Sequence, residues 1–137
     1  MAEPQQIAHE IDRVMRLIDA QMHKRMPSID CGRIGPMGTF VMMHLEELEP
    51  CGIQHLARAV GRDSSQMTRL TRSLEAKGMI GRHPSAEDGR VTVLELTGAG
   101  RGYLIDAKRE LADAVGEIVA PLTDDQQAAL LGLLRLL

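Results

Sequence analysis

Ser64, Ser65, Gln66, Thr68, Arg69 and Arg72 bring hydroxyl, amide and guanidinium groups together in one short stretch. That mixture suits the polar edges of duplex nucleic acid. A glutamine can pair with an adenine edge, an arginine with guanine N7 and O6, and a short hydroxyl with a base or a phosphate. On a helix, Met67, Leu70 and Leu74 form an apolar stripe while Ser65, Gln66, Arg69 and Arg72 point elsewhere. Gln66 and Arg69, near the helix start, are placed for bases; Arg72, one turn on, is placed for the backbone. Taken alone, the stretch is explained as well by a solvated helix face with ordinary i, i+3 charges. Downstream, Met79 to His83 and Arg90 to Leu96 alternate or are β-branched, and Pro84 to Gly89 between them is rich in turn formers. This predicts a β-hairpin whose long tip carries Asp88 and Arg90. An arginine on such a tip can enter a narrow minor groove, where the potential is most negative. The alternative is a surface ion pair between Arg90 and Asp88 or Glu87.

Those groups need a scaffold, and the prolines mark it out, because a residue without an N–H begins or ends helices more readily than it sits inside them. After Pro4, Ile7, Ile11, Val14, Ile18 and Met22 recur at helical spacing, predicting a helix that closes before Pro27. A polar loop runs from Ser28 to Gly35. Pro36 suits the first turn of a second helix, with Met37, Phe40, Val41, His44, Leu45 and Leu48 on its apolar side and Pro50 at its end. Ile53, Leu56, Ala57 and Val60 predict a short third helix that Gly61 terminates, and Asp63 or Ser64 can cap the fourth, which stops at Gly78. Thr97 can cap a fifth helix, lined by Leu104, Ala107, Leu111, Ala114, Val115, Ile118 and Val119 and closed by Pro121. Thr123 and Gln126 have capping-box spacing. Beyond them Leu130, Leu131, Leu133, Leu134, Leu136 and Leu137 make the last helix apolar around most of its circumference. Two short helices joined by a tight glycine turn and followed at once by a hairpin describe a winged helix-turn-helix. The expected fold class is therefore mainly α with a small β-hairpin wing.

The segment from His55 to Leu104 resembles the core of MarR-family transcriptional regulators. The resemblance rests on Leu74, Glu75, Lys77, Gly78 and Ile80 at the helix-to-strand junction, then Arg82, Asp88, Arg90, Leu96 and Thr97, in the family's spacing without a gap. It implies that recognition-helix contacts fall on Ser65, Gln66 and Arg69, that Arg90 enters the minor groove and that Asp88 helps hold it. Gly89 departs from the pattern, since many relatives carry a second arginine there; this wing has one fewer cation and a more flexible tip. The resemblance also implies an effector bound between the dimer helices and the DNA-binding lobe. Some MarR-like proteins sense oxidants through a cysteine in the N-terminal half. Cys31 is the candidate here, because nearby Arg33 favours the thiolate; against it stands an unreactive thiol, without the tyrosine partners of such sensors.

Composition narrows the field further. Phe40 and Tyr103 are the only aromatics in 137 residues, which excludes modules that stack bases on several exposed rings. No apolar run approaches the roughly 18 residues of a membrane span, and the N-terminus lacks a basic region followed by an apolar stretch. A cytoplasmic protein without a membrane partner is expected. The net charge of −3 divides unevenly: residues 1–53 hold 5 basic and 8 acidic side chains, residues 54–92 hold 7 and 4, and residues 93–137 hold 4 and 7. The one net-positive stretch is the one with the putting-together of helix and hairpin, and acidic flanks would orient it toward phosphate. Gly98, Gly100 and Gly102 mimic a dinucleotide-binding loop, but Tyr103 stands where its third glycine is required. His44, Cys51 and His55 suggest an N/S metal site, yet Cys51 sits in a turn and His44 on an apolar face, so no metal and no cofactor are assigned. Methionines 15, 22, 26, 37, 42 and 43 fit either an adaptable apolar pocket or ordinary core.

One domain, residues 1–137, is expected, with the winged helix-turn-helix at 34–97 and a helical dimerisation region at 5–26 and 98–137. The apolar faces of the first, fifth and last helices exceed what one small domain can cover, which predicts a homodimer. Its function is expected to be that of a sequence-specific double-stranded DNA-binding transcriptional regulator, a repressor on a palindromic operator, under an unidentified small-molecule effector. No phosphate loop, nucleophile elbow or paired-carboxylate motif points to an enzyme. Two alternatives stay open: a winged-helix protein-interaction module without DNA binding, and a cysteine-based oxidant-sensing regulator using Cys31.

Overall fold

The structure is a computed structural model that describes residues 1–30 and 32–137, so Cys31 lies outside the described residues. Its elements are α1 (Pro4–Arg25), a 3-10 turn (Met26–Ser28), α2 (Gly35–Leu48), α3 (Ile53–Val60), α4 (Ser64–Ala76), β1 (Ile80–Pro84), β2 (Thr92–Leu96), α5 (Gly98–Val119) and α6 (Asp124–Leu134). Their order is the one that the prolines, caps and periodicities predict. The chain divides into two compact units, Pro27–Ala107 and Met1–Met26 with Lys108–Leu137.

In the first unit, Val41, Met42 and Leu45 of α2, Leu56 of α3, Met67 and Leu74 of α4, Leu94 of β2 and Leu104 of α5 are completely or almost completely buried. Each contributes about 1.5–3 kcal/mol of hydrophobic free energy. The start of α2 is closed by Asp30, whose carboxylate accepts the N–H groups of Ile34 (2.6 Å) and Gly35 (3.0 Å). Gly61 ends α3 with φ 73°, a left-handed conformation that a side chain would strain. The strands pair antiparallel in the register Ile80↔Leu96 to Pro84↔Thr92. The outer edge of β2 is occupied by Cys51, which exchanges two backbone hydrogen bonds with Leu94. Glu49 accepts the Leu96 N–H at 2.7 Å and pairs with Arg101.

Two details differ from the sequence expectation. The hairpin ladder starts at Thr92 rather than Arg90, because Asp88 takes both preceding N–H groups: its carboxylate binds Arg90 N–H and its carbonyl binds Val91 N–H. On α4 the buried positions are Met67, Thr71 and Leu74, while Leu70 lies half-buried at the flank. Thr71 tolerates burial because its hydroxyl donates to the Thr68 carbonyl (3.2 Å), leaving its methyl to pack.

In the second unit, Arg25 of α1 pairs with Glu110 and Glu117 of α5. Thr123 and Gln126 form the expected capping box of α6. Neither α1 nor α6 contains a buried residue. Ile7, Ile11, Val14, Met15 and Leu17 of α1 are exposed, as are Leu130, Leu131, Leu133 and Leu134 of α6. Among the described residues no helix is long and apolar enough to cross a membrane.

Candidate nucleic-acid interface

Helix α4 is launched by Asp63, whose carboxylate accepts the Gln66 N–H at 2.8 Å. An aspartate there satisfies a free donor and places negative charge at the positive end of the helix dipole. Asp63→Ala should therefore lower stability by about 0.5–2 kcal/mol, measurable as a lower urea midpoint, whereas Asp63→Ser should retain most of it.

Ser64, Ser65, Gln66, Arg69 and Arg72 are all exposed on α4. Thr68 stands apart: it is half-buried and its hydroxyl donates to the Ser64 carbonyl at 2.7 Å. Gln66 and Arg69 come together with Arg62, Ser73, Met37 and Leu70 around an open groove of about 370 Å³. Arg62, in the turn between α3 and α4, was not singled out from the sequence. Its basic character in a helix-turn-helix turn was the available signal.

On the wing, Asp88 and Arg90 lie together and exposed at the tip, between Ser85 and Val91. The Asp88 carboxylate holds the Arg90 backbone N–H at 3.0 Å rather than its guanidinium. Aspartate thus shapes the turn and leaves the cation outward. The wing is tied to α4 by Arg82, whose Nε and an Nη each donate to a different oxygen of Glu75 at 3.0 Å. This forked geometry is specific to arginine and fixes orientation as well as charge. The pairing with Glu75 holds the Arg82 pKa above its ordinary value. Arg82 is therefore an internal strut, and its guanidinium is already satisfied.

Among the described residues, the guanidinium groups of Arg69, Arg72 and Arg90 make no hydrogen bond or ion pair. The helix and the hairpin tip therefore present cations with unused donors, which is what phosphate and base edges require.

The other candidate chemistries are placed as follows. Burial, with nearby Glu49, pushes the Cys51 thiol up, which keeps it protonated and unreactive. His44 Nδ1 lies 3.0 Å from the Phe40 carbonyl oxygen, with its ring edge-on to Phe40. Among the described residues, no three His, Cys, Asp or Glu side chains are grouped to hold a metal ion. Gly98, Gly100 and Gly102 belong to the first turn and a half of α5, capped by Thr97, whose hydroxyl accepts the Gly100 N–H and donates to the Gly78 carbonyl.

The sequence model of the MarR family matches residues 39–92, which run from α2 through α4 to the start of β2. An uncharacterized HTH-type transcriptional regulator of Bacillus subtilis, YdgJ, is 30% identical over 94 residues, 69% of this chain and 56% of the relative. The match thus spans a little over half the length of that relative. Among solved structures, wild-type MarR from E. coli in its apo form superposes with a TM-score of 0.77 at 20% identity, covering 98% of this chain and 96% of the other. The transcriptional repressor CouR, solved with a 23-mer DNA duplex, superposes with a TM-score of 0.71 at 21% identity, over 98% and 96%. At these identities the two structures establish the fold, a winged helix-turn-helix. Residues 39–92 of this chain thus match the MarR family's sequence model, on the winged helix-turn-helix fold of these structures.

Proposed function

We propose that this protein is a double-stranded DNA-binding transcriptional regulator, a repressor that acts as a homodimer on a palindromic operator and whose affinity a small-molecule effector modulates. The observation that carries the proposal is the set of exposed, unpaired guanidinium groups on α4 and the wing, Arg69, Arg72 and Arg90, beside the paired Arg82 and Arg101. Ser65, Gln66 and Arg69 supply base contacts in the major groove, with Ser64 and Arg72 toward phosphate, while Thr68 gives its hydroxyl proton to the Ser64 carbonyl. Arg90 reads the narrowed minor groove alongside, its turn shaped by Asp88. The exposed leucines of α6 and the apolar face of α1 support a two-fold dimer, which would place two recognition helices about one DNA turn apart, roughly 34 Å. An effector acts on such a regulator only through unequal affinity for its DNA-competent and DNA-incompetent states.

Selection from a random DNA pool tests the proposal and yields the half-site. On the selected duplex, Arg69→Ala should lose about 1–3 kcal/mol of discrimination at one base pair. Arg90→Ala should weaken binding chiefly through A·T-rich flanks. Unchanged affinity and selectivity in both variants would refute the assignment. A winged helix that only binds protein would lack the steep loss of DNA affinity with salt that counterion release imposes.

A further inference from the structure

His83 lies on β1 next to the wing tip, exposed to solvent, and both of its ring nitrogens face acceptors. Nδ1 is 2.9 Å from the Pro84 carbonyl oxygen and Nε2 is 2.8 Å from the Glu95 carboxylate on β2. A carbonyl and a carboxylate can only accept. A neutral imidazole has one N–H, so satisfying both contacts requires the doubly protonated ring. We infer that His83 and Glu95 form a proton-dependent charge element of the wing, which makes DNA binding weaken as pH rises through neutrality. The inference rests on the DNA-binding function proposed above and names a regulation of that same surface.

The charges around the pair decide the sign. Residues 79–97 carry Arg82 and Arg90 against Glu87, Asp88 and Glu95, a net of −1 with His83 neutral and 0 with it protonated. Loss of the proton therefore leaves the Glu95 carboxylate uncompensated on a surface that must approach phosphate. No other facing group offsets it. From α4, Glu75 is engaged by Arg82, and from the end of α2, Glu49 is engaged by the Leu96 N–H and Arg101. The tip residues Glu87, Asp88 and Arg90 follow beyond Pro84. Consistent with this, the Pro84 carbonyl first and Glu95 second raise the His83 pKa above its ordinary 6.5. The charged ring is thus complete below that range and is lost as pH rises past it.

The test is DNA affinity at fixed salt, at about pH 6 and pH 8.5, on the selected duplex, with an NMR titration of the free protein beside it. Wild type should bind about tenfold more weakly at the higher pH, since each of two wings loses one positive charge near phosphate. His83→Gln should flatten that dependence, whereas Glu95→Gln should keep it and move its midpoint to lower pH. In the titration, the His83 ring should have a midpoint above 6.5 that Glu95→Gln lowers. Equal wild-type affinity at both pH values, an unchanged pH dependence in His83→Gln, or a His83 midpoint at or below 6.5 would overturn the inference alone. Failure to bind any duplex at pH 6 would overturn the DNA-binding function and this inference with it.

Discussion

Gly100→Ala is expected to destabilise the protein by about 3 kcal/mol or more, the range that forced overpacking of a rigid site reaches. A methyl group at this position would lie 2.0 Å from the carbonyl oxygen and 3.0 Å from the carbonyl carbon of Met79, and 3.4 Å from the Met42 side chain. The side chain of Met42 can move, but the carbonyl of Met79 cannot. That carbonyl accepts the Thr97 N–H at 3.0 Å, and Thr97 in turn caps α5 and holds the Gly78 carbonyl through its hydroxyl. Room for the methyl comes only by prising the first turn of α5 from the helix-to-strand junction and breaking several of these bonds together. Thermal unfolding should show a fall of roughly 10 °C. Gly102→Ala is the matched control: it lies in the same helix with open space around it, and alanine there should be neutral or slightly stabilising. A Gly100→Ala protein that melts within about 2 °C of wild type would show that the Met79 carbonyl yields to the methyl group, and would overturn the prediction.

The second large effect concerns association. Leu131→Glu with Leu134→Glu should leave the fold intact and convert a dimer into a 15.0 kDa monomer by light scattering. Both side chains are about half exposed, in a helix with no buried residue, so a single chain loses little when they become polar. Glutamate is a good helix former and adds no cation that would raise DNA affinity by itself. In a two-fold interface, by contrast, the change sets four carboxylates into an apolar contact, where desolvation and mutual repulsion both oppose pairing. Binding to a palindromic duplex should fall by about 10²–10⁴ with the loss of the second, linked half-site contact, while binding to one half-site should persist. A double variant that remains dimeric, or a wild type that is already monomeric at micromolar concentration, would eliminate α6 as the dimer surface.

The elements were legible in the sequence because their signals are local. Pro4, Pro36 and Pro121, Gly61 at the end of α3, Asp63 and Thr123 as caps, and the spacing of Ile7, Ile11, Val14 and Ile18 each act within a few residues of themselves. The outward face of α4 was readable for the same reason, since helical period alone separates Arg69 and Arg72 from Met67 and Leu74. What local pattern could not supply were the contacts between elements. Burial of Thr71 in place of Leu70 depends on what packs over α4. The Arg82 pair with Glu75, the His83 pair with Glu95 and the close approach of Gly100 to Met79 each join residues whose neighbours in the chain give no hint of them. The two-residue shift of the second strand's start came from an aspartate that captured two N–H groups which alternation alone assigned to a strand.

The wing is anchored at its base and not at its end. Cys51 and Glu49 hold Leu94 and Leu96, whereas the bonds of Ser85, Glu87, Arg90 and Val91 run among the tip residues themselves. Its length and its stability are thus separate variables. A loop of this kind accepts added or altered residues at a small entropic cost, because nothing in the core depends on its exact path. Lineages carrying this scaffold could lengthen, shorten or recharge the tip and so change which DNA it reaches, with no compensating change in the core.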